Sequence, residues 1–141
     1  MEKDRDPLEA KISQADAPAL YDELSKHYDA WAALTESKAR KRALRLAAIQ
    51  DGQHVLEVAV GTGLAFLAIV RTNSNGRNAG IDLSPGMLAK AEKRLHDAGC
   101  TNFELSIGSA LDLKEADASF DVLLNSYMFD LIDEREWPRI L

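Results

Sequence analysis

The chain has 141 residues, 46% of them hydrophobic and 28% charged, a balance that suits one ordinary globular domain with enough apolar material for a core. Its formal net charge of −6 argues against nucleic acid as a general partner, because phosphate backbones repel an acidic chain. A single cysteine, Cys100, excludes an intrachain disulfide, no apolar run approaches the ~20 residues that span a bilayer, and the charged start Met1-Glu2-Lys3-Asp4-Arg5-Asp6 lacks the apolar stretch of a signal peptide, so a cytoplasmic location is expected.

From Ala17 to Ile49 the pattern is helical. Leu20, Leu24, Tyr28 and Trp31 recur at three- and four-residue steps, and Leu44, Ala47 and Ala48 continue an apolar stripe. The basic run Lys38, Arg40, Lys41, Arg42, Arg45 reads as the solvated face of that helix. Asp51-Gly52 turns the chain into a buried strand over His54–Val60, rich in β-branched residues. After Gly61-Thr62-Gly63, residues Leu64–Val70 form a helix, and Thr72–Gly76 a loop. A second strand covers Asn78–Leu83. Ser84 and Pro85 suit the N-cap and first position of a helix whose apolar face is Met87, Leu88, Ala91 and Leu95, ended by Gly99. Phe103–Ile107 alternates as a third, edge-type strand, a short helix follows, and Phe120–Ser126 is a fourth strand before a last helical stretch containing Pro138. Strands alternating with helices predict an α/β fold: a doubly wound, mainly parallel sheet with helices on both faces.

The chemistry concentrates at the end of the first strand. In an open α/β sheet, ligands sit outside the carboxyl ends of the strands. Gly61 and Gly63 let the backbone bend there without a Cβ clash, and the following helix offers free N–H groups to a polar ligand. Asp82 ends the second strand about twenty residues on, the spacing of an acid that accepts hydrogen bonds from a ribose diol. Helix capping before Ser84-Pro85 is a compatible second use of the same side chain. A dinucleotide fingerprint would place a third glycine at Phe66, and its absence argues against a bound pyrophosphate. Glu57, inside the first strand, points the same way: its carboxylate repels phosphate, but suits loop ordering or an ammonium group held through water. His27, His54 and His96 lack metal-ligand spacing, and no metal is expected.

Val55 to Gly63 (Val-Leu-Glu-Val-Ala-Val-Gly-Thr-Gly) resembles motif I of the class I S-adenosylmethionine-dependent methyltransferases. Gly80 to Leu88 (Gly-Ile-Asp-Leu-Ser-Pro-Gly-Met-Leu) resembles their second motif, in the subgroup of ubiquinone/menaquinone-biosynthesis methyltransferases. Tyr21 to Asp29 is similar to that subgroup's N-terminal cap, and Phe120 to Ser126 to its fourth-strand motif. The resemblance covers about Tyr21 to Asp133.

That likeness implies a cofactor, S-adenosylmethionine with S-adenosylhomocysteine as product, and roles position by position. Gly61, Thr62 and Gly63 would shape the loop under the methionine moiety, with Glu57 and Ala59 beside it. Asp82 would hold the ribose; Leu83 and Met87 would pack on the adenine. Ser109, Ala110 and Leu111 match the adenine-binding turn, Asn125 and Ser126 would face the methionine part and the substrate, and Tyr28 would cover the cofactor from the cap. The family often has Gly where Ala59 stands and Asp where Ser109 stands. No catalytic base is assigned; Asp133 suits a helix N-cap better. The implied reaction is direct in-line methyl transfer to a small-molecule acceptor, which needs positioning more than a base. The expected organisation is a helical cap over residues 1–50 and an S-adenosylmethionine-binding core over residues 51–141. The family fold has seven strands and this chain supplies four, so the core is expected to be incomplete at its C-terminal side, with impaired turnover and a homodimer through the open sheet edge. The competing readings are a non-catalytic S-adenosylmethionine-binding or partner-pairing module and, third, a nicotinamide dehydrogenase.

Overall fold

A computed structural model describes residues 37–126, 128 and 131–140. Its elements are α1 (Ser37–Ala47), β1 (His54–Val58), α2 (Leu64–Thr72), β2 (Arg77–Asp82), α3 (Pro85–Asp97), β3 (Glu104–Ile107), β4 (Val122–Asn125) and a 3-10 helix (Glu134–Arg139). The four strands form one parallel sheet in the order β3-β2-β1-β4. The expected fold class holds, and β3 is an edge strand as its alternating pattern suggests.

Alternation along β1 divides the core in two. Val55 faces the helices, where it packs with Phe66, Ile69 and Val70 of α2, Ala91 and Leu95 of α3, and Leu124 of β4. Leu44 and Ala47 of α1 seal the same cluster, so residues 37–50 sit directly on the core. Leu56 and Val58 face the other way, against Ala79, Ile81, Ala110, Met128 and Ile132, with Leu113, Phe120, Trp137 and Ile140 at the rim. Among the described residues this second face is covered by irregular chain and the 3-10 helix. The short helix expected between the third and fourth strands is not formed: an isolated bridge, Ser109 to Asp112, turns the chain instead.

Several boundaries move for local reasons. The first strand stops at Val58 because Ala59 takes a left-handed conformation, φ 62°. α2 runs two residues past Val70 to Thr72. α3 keeps its expected caps: the Ser84 hydroxyl accepts from the Met87 N–H at 3.1 Å, Pro85 is the first helical residue, and Gly99, at φ 74°, closes the end. There Gly99 N–H reaches His96 O and Cys100 N–H reaches Leu95 O, both at 2.9 Å, which satisfies two terminal carbonyls. Asp133 caps the 3-10 helix by accepting from the Arg135 N–H at 2.9 Å. Cys100 is half-buried against the helical cluster.

At the amino ends of the strands, two buried asparagines tie the connections together. Asn73 accepts from the Gly52 N–H at 2.7 Å and donates to Gln53 O at 2.8 Å and to Asn78 Oδ1 at 2.9 Å. Asn78 donates to the carbonyls of Asn73 and Asn102. The expected loop over 72–76 is thus a hydrogen-bonded corner, with Gly76 enclosed so closely that an added Cβ would lie 2.1 Å from Gln53 O.

Candidate functional site

The site is built where β1 and β2 end side by side. Glu57 pairs in register with Gly80, and Val58 with Ile81. Beyond Val58 the chain turns through three left-handed residues, Ala59 (φ 62°), Gly61 (φ 59°) and Gly63 (φ 83°). The Val60 N–H donates to Ile81 O at 3.1 Å and the Gly63 N–H to Val60 O at 3.2 Å, so the bend stays anchored to β2.

Asp82 connects this bend to the next one. Its Oδ2 accepts the Gly61 N–H at 2.7 Å, its Oδ1 accepts the Ser84 N–H at 2.9 Å, and its own carbonyl accepts the Gly108 N–H at 3.1 Å. One residue therefore organises the turns after β1, β2 and β3. Asp82 and Leu83 are half-buried, which leaves both at the surface of the crevice.

Two glycines make the close packing possible. A Cβ on Gly63 would lie 2.9 Å from Ala91 Cα, so the glycine loop rests directly on α3. A Cβ on Gly80 would meet Val60 Cγ2 at 2.6 Å and Phe66 Cζ at 3.2 Å. Gly80 takes up the bulk of Phe66, which is fully buried, and lets α2 settle on the sheet without a glycine at position 66. Sequence reading missed the part played by Gly80; its signal was a glycine inside an apolar strand. It also missed Arg94, whose Nε donates to Thr62 O at 2.9 Å and holds the loop from the flank of α3.

The α2 N-terminus begins at Gly63, with no side chain capping it. Its first-turn N–H groups and positive dipole end face the bend, which suits an anionic group. Behind the bend lies Glu57, 1% exposed, with Oε2 lacking a hydrogen-bond partner. Burial, and then the negative charge of Asp82, push its carboxyl well above the ordinary 4.5. The unpartnered Glu57 oxygen and the uncapped start of α2 are both polar groups at this end of the sheet.

The other expected positions are placed as follows. Met87 is 1% exposed, at the first turn of α3. The Ser109 hydroxyl accepts from the Leu111 N–H at 3.2 Å, so it shapes its own turn, while Ala110 is buried in the second cluster. Asn125 stands beside Val58 in register and, with Ser126, is half-buried at the carboxyl end of β4. Glu57, Ala59, Gly61, Thr62, Gly63, Asp82, Asn125 and Ser126 thus gather at one end of the sheet. Tyr28 and the rest of residues 1–36, together with Tyr127, Phe129 and Asp130, lie outside the described residues.

Comparisons with known proteins converge on this region. A family model described as a methyltransferase domain matches residues 55–141. The chain is 28% identical over 107 residues to the demethylmenaquinone methyltransferase of Bacillus velezensis, covering 72% of this chain and 46% of that protein. It therefore spans about half the length of the curated relatives it matches. Among solved structures, the [4+2]-cyclase SpnF superimposes with a TM-score of 0.78 at 18% identity, over 97% of this chain and 60% of that one, a likeness of fold. PKMT2 from Rickettsia typhi in complex with AdoHcy matches at 27% identity and a TM-score of 0.56, over 62% of this chain and 17% of that one.

Proposed function

The chain belongs to the methyltransferase-domain family, and we propose that it binds S-adenosylmethionine at the carboxyl ends of β1 and β2 and serves methyl transfer to a small molecule. The observation that carries this reading is the 2.7 Å hydrogen bond from Gly61 to Asp82, which brings a glycine bend and an acid to one crevice.

Each part of the cofactor has a chemical counterpart. The Asp82 carboxylate suits the ribose hydroxyls, since a carboxylate accepts several hydrogen bonds. The uncapped start of α2 suits the carboxylate of the methionine moiety. Glu57, kept protonated by burial and by Asp82, suits the ammonium group as a neutral acceptor reached through water, and its orphaned oxygen fits that use. Leu83, with Ser109 to Leu111 on the neighbouring turn, forms the adenine side, and Asn125 with Ser126 the side facing the acceptor. When bound, S-adenosylmethionine supplies a methyl group on an already activated leaving group. What remains for the protein is to hold the reactants in line and exclude water, and a loop fastened to two strands and a helix suits that task.

The names of relatives support a small-molecule acceptor: several are named for demethylmenaquinone and one for arsenite. A cytoplasmic location, a helical cap over residues 1–50, and pairing of two copies along the β4 edge complete the proposal. Equilibrium dialysis with methyl-labelled S-adenosylmethionine tests it. Saturable binding displaced by S-adenosylhomocysteine and not by NADH supports the reading, and displacement by NADH alone would replace it with a dinucleotide site.

A further inference from the structure

α1 differs from every other helix described. Five of the chain's 17 Lys and Arg fall in its 11 residues, with none of the 23 Asp and Glu. Lys38, Lys41, Arg42, Arg45 and Leu46 stand at i, i+3, i+4, i+7 and i+8, so they share one face, and all five are exposed. Leu44 and Ala47, on the opposite side, pack into the core. Leu46 is 75% exposed, the highest value among the large hydrophobics found exposed.

A face that merely meets water looks different in this protein. On α3, Lys93 pairs with Asp97 at 2.6 Å and His96 approaches Glu92 at 3.8 Å, both at i, i+4 spacing. α1 instead stacks like charges at that spacing, Lys38 with Arg42 and Lys41 with Arg45, an arrangement that weakens a helix. Its first turns carry Lys38, Arg40 and Lys41 and no acid, against the helix dipole. Among the described residues none of these charges has an ion-pair partner. The charges therefore oppose the helix they sit on, and an external anion is what they fit.

We propose that this face of α1 docks on an anionic phospholipid surface. A basic helical face with an exposed leucine at its margin is suited to lie in the headgroup plane, with the leucine entering the acyl boundary. The face carries no aromatic ring or amide to stack on or read a base, which favours lipid over nucleic acid. The net negative charge of the chain orients the approach, since a negative surface attracts this basic face and repels the acidic ones. The inference is independent of the reading of the cofactor site.

Vesicle co-sedimentation of the full chain tests it, with phosphatidylcholine alone and with phosphatidylglycerol added. The proposal expects binding only where phosphatidylglycerol is present, falling as salt rises. Each basic residue near such a surface is worth roughly a factor of five in partition, so the triple variant Lys41→Glu/Arg42→Glu/Arg45→Glu should bind at least ~100-fold more weakly. Glu is a good helix former and would pair with Lys38, so circular dichroism should show that variant folded. The single change Leu46→Ser, expected to weaken binding about tenfold, decides the matter if the triple variant is unfolded. Equal binding to both vesicle types, or a folded triple variant that binds as wild type, would overturn the proposal. Tighter binding to poly(U) than to vesicles at equal phosphate would reassign the face to nucleic acid.

Discussion

The backbone N–H of Gly61 lies 2.7 Å from the carboxylate of Asp82, a contact between residues 21 apart in sequence. It joins the bend after β1 to the end of β2, and it sets the width of the crevice between them. The carboxylate holds the turn at Ser84 with its other oxygen, so a change at position 82 disturbs both walls.

Ala59 adopts φ 62°, where an alanine Cβ crowds the following carbonyl at a cost of roughly 1–2 kcal/mol. Glycine is the residue that the family often places there. Ala59→Gly should raise stability by about 1 kcal/mol after its extra unfolded-chain entropy is counted. The urea midpoint should rise with unchanged slope, and an unchanged or lower midpoint would show that the conformation carries no strain.

Glu57 makes stability depend on pH with a definite sign. Burial, then Asp82, raise its folded-state pKa well above 4.5. The folded protein then binds this proton more tightly than the unfolded chain does. Its contribution to stability is complete below about 4.5 and is lost as pH rises through the raised value. Glu57→Gln does not titrate, so its stability relative to wild type should improve as pH rises from about 4.5 and level off once pH passes the raised value. Urea midpoints of both proteins across the acid-to-neutral range check this, and a difference that stays flat with pH would contradict it.

Asn73, fully buried, serves the other end of the sheet by satisfying Gly52, Gln53 and Asn78 at once. Asn73→Ala leaves those groups without their partner and should cost about 2–4 kcal/mol. Because the corner lies at the amino ends of the strands, affinity for S-adenosylhomocysteine in the folded variant should be unchanged. Thermal melts and a binding isotherm separate the two effects, and a loss of affinity with no loss of stability would contradict the assignment.

Much of this architecture was legible because the signals were local. Ser84-Pro85 marked the start of α3, Gly99 its end, and the apolar run before Gly61 the central strand. That Asp82 and the glycine bend lie at one end of the sheet was legible from spacing, while the hydrogen bond that joins them was not. Features that depend on contact between distant segments were not. Gly80 makes room for Val60 and Phe66, Arg94 reaches Thr62, and Asn73 with Asn78 knits three connections; none of these leaves a periodic trace. The early end of β1 escaped notice because Val-Ala-Val favours extended chain by propensity, while anchoring of Val60 to Ile81 and of Gly61 to Asp82 requires the turn at Ala59.

The most direct test is calorimetric titration of S-adenosylhomocysteine into the wild-type chain and Asp82→Ala. The account predicts one saturable site in the wild type and a loss of roughly 10–100-fold in affinity in the variant, the scale of a lost hydrogen bond to a charged group. Identical affinities in a folded Asp82→Ala protein, or no heat of binding in the wild type, would contradict it.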